Sequence, residues 1–229
     1  GAMEILNGAN AALVGGHTSE GAELALGFSV NGLIEKNKIL RKGGMSPGNL
    51  LILTKPIGTG TLFAADMQQK AKGRWIDEAL YSMIMSNKQA AECLFANNAT
   101  ACTDITGFGL LGHMVEMLKP SGVDVEIKLD ALPILDGALE TVHMGILSTL
   151  QPANVRLRRA IQNLEEVSNS KLYPLIFDPQ TSGGLLASIP ENKANECITQ
   201  LHDLGYKDAS VIGKVNVASD KLEPVKLLI

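Results

Sequence analysis

Apolar and polar positions alternate in two periods along this chain, and the switches between them mark out its elements. "ELALGFSVNGLI" (23–34) steps apolar and polar by turns and predicts a strand. "LLILTK" (50–55) is a short continuous apolar run, the pattern of a buried strand. "PIGTGTLFAADMQQ" follows as a turn and a helix. From Ile76 to Phe95 the period lengthens, and Ile76, Leu80, Met83, Ile84, Ala91, Leu94 and Phe95 fall on one helical face. "TACTD" predicts a strand and "LLGHMVEMLK" a helix ended by Pro120-Ser121-Gly122. "VDVEIKL" (123–129) alternates as a half-buried strand does, and "PILDGALETVHMGI" predicts a further helix. "GGLLASIP" (183–190) is a strand, "ENKANECITQLHDLG" a helix closing on Gly205, and "ASVIGKV" a final strand.

Strands and helices are thus interleaved, which predicts an α/β or α+β fold with a mixed sheet covered by helices. "EKNKILRKGGMSPGN" (35–49) is polar and glycine-rich, the composition of a boundary. Residues 4–34 hold one strand and one glycine turn, too little to bury a core. They read as the tail of another domain, so the expected division is 1–37 and 38–229. The opening Gly-Ala-Met has the look of an expression remnant and is left out of the fold argument.

Composition narrows the function classes. The 229 residues are 45% hydrophobic and only 4% aromatic, so the core must be built from aliphatic side chains and methionine. A formal charge of -4 argues against a general nucleic-acid or membrane-surface binder. "RLRRAI" (156–161), the densest basic stretch, reads as a solvated helix face. No apolar run approaches the ~20 residues needed to span a bilayer, and no signal peptide is visible. Cys93, Cys102 and Cys197 form no CxxC pair, and an odd number of free thiols fits a reducing cytoplasm.

Three glycine-bearing clusters carry candidate chemistry. In "VGGHTSEGAE" (14–23), Gly15 and Gly16 would let a ligand approach the backbone, and His17, Thr18, Ser19 and Glu20 offer polar groups in series. A phosphate-bearing ligand suits that array; an ordinary polar turn fits it as well. In "TACTDITGFGLLGH", Asp104 stands at a strand's carboxyl end before a Gly-x-Gly turn. It is a hard oxygen donor where α/β folds place ligands, or else it or Thr106 caps the next helix. His113 lies within that helix and reads as packed. "FDPQTSGGLL" (177–186) is either a binding loop or a tight structural turn. "LTKPIGTG" (53–60) resembles a phosphate loop only loosely, because Lys55 precedes the glycines.

Taken together and in order, "GGHTSEGAELALGFSVNG", "LILTKPIGTG", "ACTDITGFGLLGH" and "FDPQTSGGLLASIP" resemble selenophosphate synthetase (selenide, water dikinase). The resemblance implies the carboxy-terminal domain of the aminoimidazole-ribonucleotide-synthetase-like superfamily, preceded by the tail of its ATP-binding domain. It implies an enzyme that converts ATP, selenide and water to selenophosphate, AMP and phosphate. It also implies a homodimer whose nucleotide sites lie where the subunits meet. Asp104 then matches a Mg²⁺-ligating aspartate. Gly15, Gly16 and His17, with Thr18 beside them, match a segment that touches the nucleotide from the partner subunit. The family's amino-terminal segment, with a reactive Cys or selenocysteine, a catalytic Lys and further magnesium-binding aspartates, has no counterpart in residues 1–14. The expectation is therefore a fragment inactive by itself. The alternatives are a non-catalytic dimerisation or regulatory module of the same fold, or another ATP-dependent member of the superfamily. Asn49 stands where the family often has Asp. "GILSTLQPANVRLRRAI" (145–161) is similar to versions fused behind a flavin-dependent, NADH-dehydrogenase-like domain.

Overall fold

In the computed structural model, which describes every residue from Gly1 to Ile229, the chain divides between Ile39 and Leu40 into two units. The first carries one short helix, α1 (Ala2–Gly8), and a 3-10 turn at Lys36–Lys38. The strand expected over 23–34 does not form. A strand needs a neighbour to pair its amides and carbonyls, and this unit supplies none. Leu24, Leu26 and Val30, the residues that gave the alternating pattern, stand exposed.

The second unit is built on one six-stranded sheet. Its strands are β1 (Leu50–Leu53), β2 (Ala101–Asp104), β3 (Asp124–Lys128), β4 (Leu185–Ile189), β5 (Ser210–Asn216) and β6 (Val225–Leu228). They lie in the order β2-β4-β1-β5-β3-β6, antiparallel throughout except for the parallel pair β3 and β6. The sheet is mixed, as expected. Helices α2 (Thr59–Met67), α3 (Gly73–Ile84), α4 (Lys88–Ala96) and α5 (Gly109–Ser121) follow β1 and β2. Then come α6 (Ala138–His143), α7 (Gln151–Asn154), α8 (Leu164–Val167) and α9 (Glu191–Asp203).

Alternation along the strands builds two cores. Leu51, Leu53 and Leu186 join α2, α3 and α5 in one cluster, with Leu62, Trp75, Leu110 and Met114. Ile52, Leu185 and Ala187 point the other way and pack with Leu94 of α4 and Leu201 of α9. Helices therefore cover both faces, and β4 is buried at all five positions. That double burial is why "LLILTK" and "GGLLASIP" read as continuous apolar runs.

Two expectations are corrected here. The segment from Ile76 to Phe95 is two helices, broken between Ile84 and Lys88, and the face that α3 buries is Trp75, Ala79 and Ser82. Leu80 and Ile84 point outward instead. The cause is tertiary: α3 belongs to one core and α4 to the other, so a single continuous face cannot serve both. The second correction is β6, which the sequence pattern left unassigned. It is a short edge strand in which buried Val225 and Leu227 flank exposed Lys226.

Candidate functional site

β4 lies between β1 and β2 and runs antiparallel to both, so its first residues meet the last residues of each. This brings three of the glycine-bearing segments together at one end of the sheet. The Leu185 amide donates to Thr54 Oγ1 at 2.8 Å, and the Thr54 amide to the Leu185 carbonyl at 3.0 Å. The Ile105 amide donates to the Gly184 carbonyl at 2.9 Å. A Cβ on Gly184 would stand 2.5 Å from the Lys55 backbone nitrogen, so only glycine allows this approach. The Gln180 amide donates to the Thr106 carbonyl at 3.0 Å, and Asn154 Nδ2 bridges the carbonyls of Gly107 (2.8 Å) and Phe177 (3.0 Å).

Asp104 ends β2. The three residues before it are buried and it alone is exposed. The capping alternative fails: α5 begins after Phe108 with no side-chain cap bond, from Asp104 or Thr106. The Asp104 carboxylate is thus not spent on the helix, and Asp104 accepts a Thr103 hydroxyl only at its backbone carbonyl, at 3.3 Å. His113 is packed, as its position implied. Its Nε2 accepts the Thr106 amide at 3.0 Å, which leaves the proton on Nδ1, 3.2 Å from Glu116 Oε2. Burial holds its pKa below the usual histidine value against the pull of Glu116 and Asp104. It pins the turn after Asp104 and is not free to bind a metal.

The "FDPQTSGG" loop has two halves. Asp178 and Gln180 close the amino terminus of α2. Gln180 Oε1 accepts the amides of Gly58 (2.9 Å) and Thr59 (3.2 Å) and the Thr59 hydroxyl (3.1 Å). Asp178 Oδ2 accepts the Gly60 amide at 3.0 Å and Gln180 Nε2 at 2.9 Å, while Oδ1 is buried without a partner. Burial pushes the Asp178 carboxyl up to about 7, against the hydrogen bonds from Gln180 and the Gly60 and Thr61 amides. Thr181 and Ser182 are exposed, and Ser182 is left-handed at φ 53°. Beside them an open cleft of about 730 Å³ runs past Gly107 to Phe63, Met67 and Leu150.

Lys55 is the residue whose role sequence reasoning missed. It is 2% exposed, and its ammonium donates to the carbonyls of Met85 (2.5 Å) and Ser182 (3.3 Å). Burial lowers its pKa to about 8. The available signal was a lysine sitting directly after an apolar strand run. Asn49 is structural, with Nδ2 on Thr100 Oγ1 (2.9 Å) and Ser188 Oγ (3.0 Å). Arg156, Arg158 and Arg159 are exposed on the 3-10 helix Val155–Ala160, the solvated face expected. Gly15, Gly16, His17 and Thr18 lie in the first unit, exposed and outside any helix or strand. No group of three or more His, Cys, Asp or Glu side chains is gathered in a metal-binding arrangement. No helix is long and apolar enough to cross a membrane.

Residues 46–223 match the family model described as AIR synthase related protein, C-terminal domain. The chain is similar to the protein named "Selenide, water dikinase" from Geobacter metallireducens, 39% identical over 213 residues, 93% of this chain and 62% of that one. It is also similar to "Selenide, water dikinase 2" from Peptoclostridium acidaminophilum, 41% identical over 96% of this chain and 63% of that one. The chain therefore spans less than two thirds of the length of these relatives. Among solved structures, E. coli HypE shares the fold with a TM-score of 0.58 at 21% identity, covering 82% of this chain and 48% of that one.

Proposed function

Because the chain belongs to the family of AIR synthase related proteins through their C-terminal domain, we propose that it is the carboxy-terminal part of a selenophosphate-forming enzyme. The overall reaction takes ATP, selenide and water to selenophosphate, AMP and phosphate. The similarity to proteins named selenide, water dikinase over more than nine tenths of this chain supports the substrate assignment.

The observation that carries the reading at residue level is Asp104, an exposed carboxylate at a strand end flanked by two braced loops and not used as a helix cap. Such a group fits one ligand position of Mg²⁺, which binds through one or two carboxylates together with phosphate oxygens. No three His, Cys, Asp or Glu side chains are gathered there, so this chain does not hold the ion by itself. When bound, the ion neutralises charge on the phosphates. The role of this chain is then to hold one metal-binding carboxylate at a fixed strand end, and to orient it through the 105–107 and 181–184 turns. Gly15, Gly16, His17 and Thr18 contact the nucleotide from the partner subunit of a homodimer. The remaining carboxylates and the catalytic lysine come from sequence outside these residues, so the chain alone makes no AMP.

The test is Asp104→Asn in the full-length protein. Asn keeps the size and removes the charge. Selenide-dependent AMP formation across a magnesium series should fall at least about tenfold at ordinary magnesium, with the loss of one charged ligand, while the melting temperature stays near wild type. Wild-type turnover in the variant would sink the ligand role.

A further inference from the structure

The turn beside Asp104 is tied at three successive residues by side chains from three places in the fold. Thr59 Oγ1 accepts the Thr181 amide at 2.9 Å, Lys55 Nζ donates to the Ser182 carbonyl at 3.3 Å, and Asn87 Nδ2 donates to the Gly183 carbonyl at 2.9 Å. Lys55 also reaches the Met85 carbonyl at 2.5 Å, in the break between α3 and α4. It is the one charged member of the three. Both its acceptors are backbone carbonyls, and no carboxylate is paired with it.

That arrangement needs a reason. Burying an ammonium without a counter-charge costs free energy that a methionine of similar length would not. Packing alone therefore does not call for lysine here. What the ammonium does is hold the carbonyl of Ser182, a non-glycine residue at φ 53°. A residue in that region keeps its conformation only when its surroundings enforce it. One residue further on, Gly183 and Gly184 lie against Ile105, the neighbour of Asp104.

We propose that Lys55 is a positioning residue, whose ammonium holds the Thr181–Gly183 turn in place beside Asp104 and so sets the geometry in which metal and phosphate meet. This rests on the selenophosphate reading for its catalytic consequence, but not for its structural part. Lys55 itself touches no substrate.

The experiment compares wild type, Lys55→Met and Lys55→Arg in the full-length protein, with two readouts. Amide hydrogen exchange at 181–184 should quicken about tenfold or more in Lys55→Met, the fold-change expected for one lost charge-assisted hydrogen bond, with β1 and β4 unchanged. The apparent KM for magnesium should rise by a similar factor with a smaller change in kcat, and Lys55→Arg, which keeps the charged donor, should recover part of both. Should Lys55→Met fail to fold, Lys55→Gln is read in its place. Exchange and magnesium dependence both at wild-type values would overturn the proposal. So would exchange that quickens equally across β1 and β4, which marks a purely structural lysine. If the wild-type protein makes no AMP, the selenophosphate reading falls, and the exchange readout still decides whether Lys55 holds the turn.

Discussion

Asp178→Asn should make this protein more stable at pH 8, although it removes a fully buried residue's native chemistry. Asp178 sits under the amino terminus of α2, and its carboxyl is pushed from 3.8 to about 7 by burial. A carboxyl whose pKa rises on folding holds its proton more tightly in the folded chain. Between about pH 4 and pH 7 the folded chain therefore keeps a proton that the unfolded chain has lost. Stability must fall as pH rises through that window and level off above it. A shift of about three units corresponds to a ceiling of about 4 kcal/mol at ~1.4 kcal/mol per unit. Asn presents an oxygen to the Gly60 amide and Gln180 Nε2, as Asp178 Oδ2 does, and puts an amide where Oδ1 has no partner. That unpaired amide costs roughly 1–3 kcal/mol. The net gain expected at pH 8 is about 1–3 kcal/mol. Near pH 4, as the unfolded chain's carboxyl takes up its proton too, the sign should reverse and leave the variant the less stable by the amide's cost. Urea unfolding of both proteins from pH 4 to pH 8 reads it directly, and the difference between them cancels other titrating groups. A wild-type minus variant difference that does not change with pH, or a variant less stable at pH 8, would refute the reasoning.

Two further outcomes follow from packing and burial. Gly137→Ala should destabilise by roughly 2–4 kcal/mol and shift Trp75 fluorescence, because the new Cβ would overlap the Trp75 ring at a residue with φ 84°; a melting temperature within a degree of wild type would contradict it. All three cysteines are buried, and burial pushes the Cys102 and Cys197 thiols up to about 12. A thiol reagent at pH 8 should therefore leave the folded protein untouched while titrating every thiol after denaturation, and fast labelling of folded Cys102 or Cys197 would count against that burial.

The sequence announced most of the second unit because its strands and long helices have clean periods. Five of the six strands and the helices α2, α5 and α9 fall where their apolar patterns place them. The misses have identifiable causes. The 76–95 pattern merged two helices because periodicity carries no information about which core a face will meet. The break spans Met85, whose carbonyl receives Lys55, Ser86, whose hydroxyl accepts the Lys88 amide at 3.2 Å, and Asn87, which precedes α4. The 23–34 segment alternates as a strand does, but no strand of this unit pairs with it and it stays exposed. At the candidate site, the glycine clusters were legible as chemistry, but the reason for each glycine was not. Gly184 is dictated by Lys55, a residue far away in sequence that only the strand order brings close.

That strand order also divides the "FDPQTSGG" loop into two parts, a division its composition did not show. One part is a buried structural turn and the other is short and exposed. Asp178 and Gln180 spend their oxygens on the amides of α2, and Gln180 takes the Thr106 carbonyl with its own amide. Those bonds fix where the loop enters the sheet end. Thr181 and Ser182 remain exposed. They are held beside the Ile105–Thr106 turn that follows Asp104, because Gly183 lies against Ile105 and Gly184 against Lys55 just before β4. Under the proposed function, rigidity on the buried side is what makes a short exposed side useful, since a group meeting a metal-bound phosphate loses activity with small displacements. On this argument the loop's buried residues should set stability and its exposed residues turnover, with Lys55 as the one side chain linking the two.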